Sequence, residues 1–313
     1  MFKVFLVYFI NYLILLMMVL VSIMFITLLE RKLLSIFQDR KGPNKVSVGG
    51  VLQPLADGVK LLLKEVFWLY KSNFILYIVS PIMSMSLMML CWVIHFSMVG
   101  VFSVNNLELL FLLSVLSMGV YGVLVAGWSS NSLYSYLGSL RSIAQTISYE
   151  VSLIFLMIFQ FILVSSISVL HLLKFQVYFM FFFILFMIFF LVLLVVTAEM
   201  NRAPFDLVEG ESELVSGFNI EYFSGLFALI FLAEYGMILF FSMYLVITNF
   251  GTLMVSMILY FCVMYMILGL RGVLPRVRYD KLMYMVWKGI LPVSMNILLL
   301  IFSVKLFLGI AFM

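Results

Sequence analysis

Eight times along this chain an apolar run is long enough to cross a membrane, and no other feature constrains its fold as strongly. A hydrocarbon layer about 30 Å thick takes about 20 residues of helix. Runs of that order read as Val4–Leu29, Phe74–Ser97, Leu107–Gly127, Ile143–Leu170, Phe175–Ala198, Tyr222–Ile247, Thr252–Leu270 and Tyr284–Phe307. Backbone in hydrocarbon must satisfy its own hydrogen bonds. The expectation is therefore an all-α polytopic membrane protein, with residues 1–313 forming one transmembrane domain. The charged fraction agrees: 10% here, against about 25% in soluble domains. The first run is too long for the core of a secretory signal and ends in Glu30-Arg31-Lys32, so it reads as a retained span. No internal repeat is evident, which weighs against the two-fold architectures of many transporters.

Charge sorts the loops by side. Eight basic residues fall between Arg31 and Lys71, five more between Arg271 and Lys288, and Arg202 stands after the fifth run, while Lys3, Lys174 and Lys305 lie at the other ends. Positive charge marks the cytoplasmic or matrix face. Both termini are therefore expected to face outward and the odd-numbered loops inward. The first inward loop, 31–71, opens with the turn Asp39-Arg40-Lys41-Gly42-Pro43-Asn44, where Gly and Pro restrict the backbone. In Val51–Leu63 the residues Val51, Leu55, Val59 and Leu62 recur at helical spacing, while Asp57, Lys60 and Lys64 share another face. With Pro54 in its first turn, this is expected to be a short amphipathic helix at the interface. It either anchors the chain to lipid or walls a cavity beneath a docked partner.

The second inward loop, 199–221, gathers Glu199, Asp206, Glu209, Glu211, Glu213 and Glu221, nearly half of the 14 acidic residues. Two further carboxylates, Glu150 and Glu234, lie inside apolar runs. A charge at mid-bilayer costs about 2.5–3.5 kcal/mol even on the lenient insertion scale, so such groups point to proton or cation handling. A structural pair of Glu150 with Arg141 is disfavoured, because nine residues turn a helix through about 900° and leave the two on opposite faces. Glu234 has no basic residue within a turn or two. Asp206, Glu209, Glu211 and Glu213 are close enough in sequence to titrate as a coupled group, although a solvated loop explains one or two of them equally well. Gly119, Gly122 and Ala126 read as close helix packing.

Other chemistries lack support. Cys91 and Cys262 stand alone and form no CxxC, which argues against an iron–sulfur cluster or zinc held by this chain; no metal site is expected. His95 and His171 fall near helix ends, and an interfacial role suits them better than haem ligation. No GxGxxG or P-loop is present, and neither nucleotide nor nucleic acid is expected as a partner.

Five motifs together carry a resemblance: Thr27-Leu28-Leu29-Glu30-Arg31-Lys32, Arg40-Lys41-Gly42-Pro43-Asn44, Gln145-Thr146-Ile147-Ser148-Tyr149-Glu150, the segment Glu199 through Glu221, and Pro275-Arg276-Val277-Arg278-Tyr279-Asp280. In this order, and over almost the whole chain, they resemble the chain 1 family of NADH:ubiquinone oxidoreductase, respiratory complex I. The resemblance implies a core membrane subunit that forms the ubiquinone access chamber and couples quinone reduction to proton translocation. It implies a chamber bordered by Glu30, Arg31, Arg40, Asp57, Arg276 and Arg278, with Arg276 and Arg278 pairing either with the acidic loop or with a docked subunit. Proton coupling is expected of Glu150, Glu199, Asp206, Glu209, Glu211, Glu213, Glu221 and Glu234. Ubiquinone would be a substrate. Flavin and iron–sulfur clusters would reside in hydrophilic, quinone-reducing partner subunits on the matrix face, with small and antiporter-like membrane subunits and phospholipid as further partners. This chain alone has no redox centre. High Phe (33) and Met (24) with little Ala suggest a mitochondrial gene, hence the inner membrane with both termini toward the intermembrane space. The membrane subunit of a proton-pumping hydrogenase, a stand-alone cation/proton transporter and a purely structural anchor remain as alternatives.

Overall fold

The computed structural model describes residues 2–65, 67, 70–94, 107–177, 180–206, 217–251 and 255–311, and among these the regular elements are all helical. The helices are α1 (Phe2–Phe37), α2 (Gln53–Leu63), α3 (Phe74–Cys91), α4 (Glu108–Ser129), α5 (Leu133–Val164), α6 (Val169–Gln176), α7 (Phe181–Ile184), α8 (Phe186–Glu199), α9 (Ser224–Phe250) and α10 (Val255–Val273). A last helix, α11, runs over 279–311 through a π turn at Met285–Ile290. Each of the eight expected spans has a helix. Six of them are long and apolar enough to cross a membrane, while α8 and the described part of α10 are shorter apolar helices.

Two boundaries depart from the apolar runs. The helix of the fourth span, α5, starts at Leu133, well before Ile143, and ends at Val164. Its early turns are rich in serine, and Ser135, Ser139 and Ser142 are tolerated there because each hydroxyl donates back to a carbonyl one turn earlier. It stops where Ser165 takes a left-handed conformation with φ 62°. The fifth crossing is broken into α6, α7 and α8, and α8 has 14 residues, about 21 Å of helix.

The centre of the bundle lies among α5, α8 and α9, where Tyr149, Met157, Val195, Val196, Ile238, Phe241 and Leu245 are fully buried. Helix α9 packs against α1, α2, α3 and α10. At the far end of the bundle from the acidic segment, two charged side chains close helix termini. The Glu108 carboxylate accepts the Val169 N–H at 2.8 Å, and Lys305 donates to the Ile162 carbonyl and, at 2.7 Å, to the Ser165 hydroxyl. Each charge complements the dipole of the helix end it meets. The sequence reading gave Glu108 no role and counted Lys305 only toward topology.

The amphipathic helix forms as α2, with Pro54 in its first turn. Leu52, Leu55, Val59, Leu62 and Leu63 are exposed in the isolated chain.

Candidate functional site

Among the described residues the most strongly bonded carboxylate is Glu30, only 3% exposed and two turns before the C-terminal end of α1. Arg271 of α10 donates to its Oε1 at 2.5 Å, the Tyr235 hydroxyl of α9 donates to Oε2 at 2.5 Å, and Arg202 lies 3.4 Å from Oε1. The Arg202 guanidinium also sits 4.2 Å from the centroid of the Tyr235 ring, a cation–π distance. Helices α1, α9 and α10 and the segment after α8 thus converge on one carboxylate. Burial works against a charge on Arg202, but the Tyr235 phenol, Glu30 and Glu234 outweigh it and hold the guanidinium more firmly protonated than usual.

Arg202 joins this cluster to a cavity of about 150 Å³ between α3, α4, α8 and α9, lined by Glu199, Asn201, Arg202, Glu234 and Thr146 among many apolar side chains. Glu234, which has no basic neighbour in sequence, lies within Coulombic reach of Arg202 in the fold. Glu150 of α5 is likewise within Coulombic reach of Glu199. Arg141 is directed elsewhere, 6.0 Å from the Tyr279 ring. Glu199 Oε2, Asn201 Oδ1 and Arg202 Nη2 are buried with no hydrogen-bond partner among the described residues. Buried polar atoms are nearly always bonded to protein or ordered water, so these open atoms make the polar end of the cavity a place for water. Gly119 also lines it, and a Cβ built there meets open space. The expected close packing at Gly119 is therefore replaced by a cavity wall. A Cβ on Gly122 would make ordinary contact with Ser84.

The acidic segment is held at both described limbs. On the first, Gln145 of α5 donates to the carbonyls of Ala198 and Phe205 at 2.9 Å each. Val277 N–H donates to the Pro204 carbonyl at 3.0 Å, and Arg276 meets Asp206 at 3.5 Å. On the second, the ring of Tyr222 stacks on Tyr77 with centroids 4.4 Å apart, and its hydroxyl meets that of Ser80 at 2.8 Å. The Tyr77 hydroxyl donates to the backbone carbonyl of Glu221. Glu209, Glu211 and Glu213 lie outside the described residues, as does His95.

The remaining candidates separate. Arg31 pairs with Asp57 at 2.6 Å, joining α1 to α2. Arg40 bonds the Gln38 side chain at 2.8 Å, and Arg278 bonds Asp280 at 3.1 Å. Among the described residues neither reaches the acidic segment. The sequence reading missed Tyr235 and the site role of Arg271. Tyr235 stood beside Glu234 as a polar neighbour inside an apolar run; Arg271 had no signal beyond its charge.

Together these features define a polytopic helical membrane protein with ionisable groups strung through its interior from one end of α1 to the middle of α5. A profile of the NADH dehydrogenase family matches residues 10–302. The chain is 47% identical over 299 residues to NADH-ubiquinone oxidoreductase chain 1 of Aedes aegypti, covering 95% of each chain. It is 48% identical to the Anopheles gambiae protein of that name, covering 94% of this chain and 95% of the relative, and 42% identical to that of the lamprey Lampetra fluviatilis, covering 95% of both. The chain belongs to the NADH dehydrogenase family.

Proposed function

We propose that this chain is a core membrane subunit of a proton-pumping NADH:ubiquinone oxidoreductase in the mitochondrial inner membrane, that it forms the ubiquinone access chamber, and that it couples quinone reduction to proton translocation. The observation that supports this most is the set of ionisable groups within the bundle: Glu30, Arg202 and Glu234 are tied by contact and Coulombic reach, Glu199 and Glu150 by Coulombic reach, and the cavity that Glu199, Arg202 and Glu234 line joins the two groups. One end of that set adjoins α2 and the Arg31–Asp57 pair. The other enters the bundle.

Ubiquinone is the substrate, reduced at a hydrophilic partner that carries the iron–sulfur cluster and docks on the basic loops at 31–71 and 271–281. The inward side of those loops is the matrix, and both termini face the intermembrane space. The apolar face of α2, with Lys60 and Lys64 beside it, suits the approach of an isoprenoid tail from the bilayer. Arg31, Asp57 and the Arg276–Asp206 pair border the chamber. Arg40 and Arg278 keep a place at the docking surface, where their exposed side chains are available to a partner. Reduction of a quinone takes up protons, and charge created in a low-dielectric site acts strongly on neighbouring ionisable groups. Arg202 answers to two carboxylates at once, Glu30 and Glu234, and so transmits a change at one to the other. Glu199 and Glu150 extend the path through the cavity, and the acidic residues from Asp206 to Glu221 feed it. Small and antiporter-like membrane subunits receive the signal.

Replacing Glu150, Glu199 and Glu234 by Gln, singly and together, keeps shape but removes titration. The expected result is an assembled complex in which quinone reduction and proton pumping fall together while reduction of a hydrophilic artificial acceptor persists. Normal pumping by all three single variants and the triple variant in proteoliposomes would sink the coupling role.

A further inference from the structure

Gln145 is fully buried on α5, and its side-chain nitrogen donates to two backbone carbonyls, Ala198 and Phe205. Both partners accept only, so the amide must turn its NH2 toward them. Its oxygen is then left without a partner among the described residues. A buried acceptor left open is unfavourable, and the amide tolerates it in order to make both donations. Those donations close the chain from Ala198 to Phe205 into a short loop that contains Glu199, Asn201 and Arg202. Of these, Glu199 and Arg202 are the ionisable groups, and both line the cavity.

The same face of α5 seats the other limb. Gly138 precedes Gln145 by seven residues, two turns less about 20°. A Cβ at Gly138 would stand 2.9 Å from the Gly217 Cα and 3.0 Å from the Phe218 nitrogen. Glu150 is borne further along α5. One helix therefore aligns both limbs of the acidic segment with an intramembrane carboxylate.

We propose that Gln145 is a positioning residue for coupling: by gripping the Ala198 and Phe205 carbonyls together it fixes Glu199 and Arg202 in the cavity. This rests on the reading that Glu199 takes part in proton coupling. Gln145 acts through the two carbonyls it holds.

The test uses the assembled respiratory complex carrying Gln145→Met, which keeps length and volume but has no donor, and Gln145→Glu, which keeps at most one donor for the two carbonyls. Rates are expressed per assembled complex, so partial assembly does not obscure them. The expected result is about a tenfold fall in kcat for ubiquinone reduction, the effect of losing two buried donations. KM should stay within about twofold and artificial-acceptor reduction should be unchanged. Glu199→Gln is measured in parallel. An impaired Glu199→Gln beside normal per-complex turnover in both Gln145 variants overturns the positioning role alone. Normal turnover in Glu199→Gln overturns the part given to Glu199 in coupling and this proposal with it. Failure of both Gln145 variants to assemble also overturns the proposal, since Gln145 would then serve the fold.

Discussion

Glu30 shows how much a single carboxylate can organise. Two guanidiniums and a phenol reach it, and the carboxylate itself is almost closed to solvent while Arg271 is partly exposed. Removing one member of a buried charged cluster leaves the others uncompensated and costs about 3–5 kcal/mol. Glu30→Gln should therefore deplete assembled complex on native gels and lower its thermal midpoint; full assembly at the wild-type midpoint would show that the cluster contributes little. Tyr235→Phe removes one hydrogen bond to a charged acceptor and should cost less, about 1.5–3 kcal/mol. Arg31 and Asp57 make the opposite case. Their side chains are 49% and 34% exposed, and such pairs contribute about 0.2–1 kcal/mol. A double-mutant cycle on complex stability should give a coupling energy below about 1 kcal/mol. A markedly larger value would mean that a docked partner buries the pair. Little of this was legible beforehand. The carboxylates announced themselves because charge is rare in apolar runs, but Arg202, Arg271 and Tyr235 come from three separate segments that meet only in the fold.

Among the elements, α5 contributes the most. Its stripe of Ser135, Gly138, Ser142 and Gln145 is buried, and it receives backbone where ordinary helices receive side chains. Gly138→Ala should force backbone against backbone at Gly217 and destabilise by about 1–3 kcal/mol, as overpacking does. Gly119→Ala on α4 adds the same methyl group where nothing lies within 4 Å, so assembly should be retained. Comparing the two variants by native gel separates a glycine needed for close approach from one that only borders a cavity; equal assembly would refute the distinction. The start of α5 was misplaced in the sequence reading because serines count against an apolar run. In the helix their hydroxyls bond back to their own backbone, so the polarity that seemed to end the run is satisfied internally.

At the level of the whole molecule, fourteen basic residues on one set of loops against three on the other set the expected orientation. Single cysteines introduced in 31–71 and 271–281 should react with an impermeant thiol reagent only when the matrix face is open, in membranes stripped of peripheral subunits. Labelling from the intermembrane side of sealed membranes would reverse the map. The exposed apolar surfaces of α1, α2 and α11 match this setting, because lipid or neighbouring subunits cover what water would otherwise meet.

The sequence by itself determined the spans, the amphipathic helix and the concentration of acid between α8 and α9. Each follows from local composition, which lipid enforces residue by residue. Only the tertiary structure decided which charges act together: that Glu234 has Arg202 within Coulombic reach, that Glu150 has Glu199 within the same reach while Arg141 lies over Tyr279, and that Arg31 holds Asp57 while Arg40 and Arg278 turn aside. Hydrophobicity is a property each residue carries into any fold, whereas an ion pair or a shared amide exists only once distant segments are brought within a few ångströms.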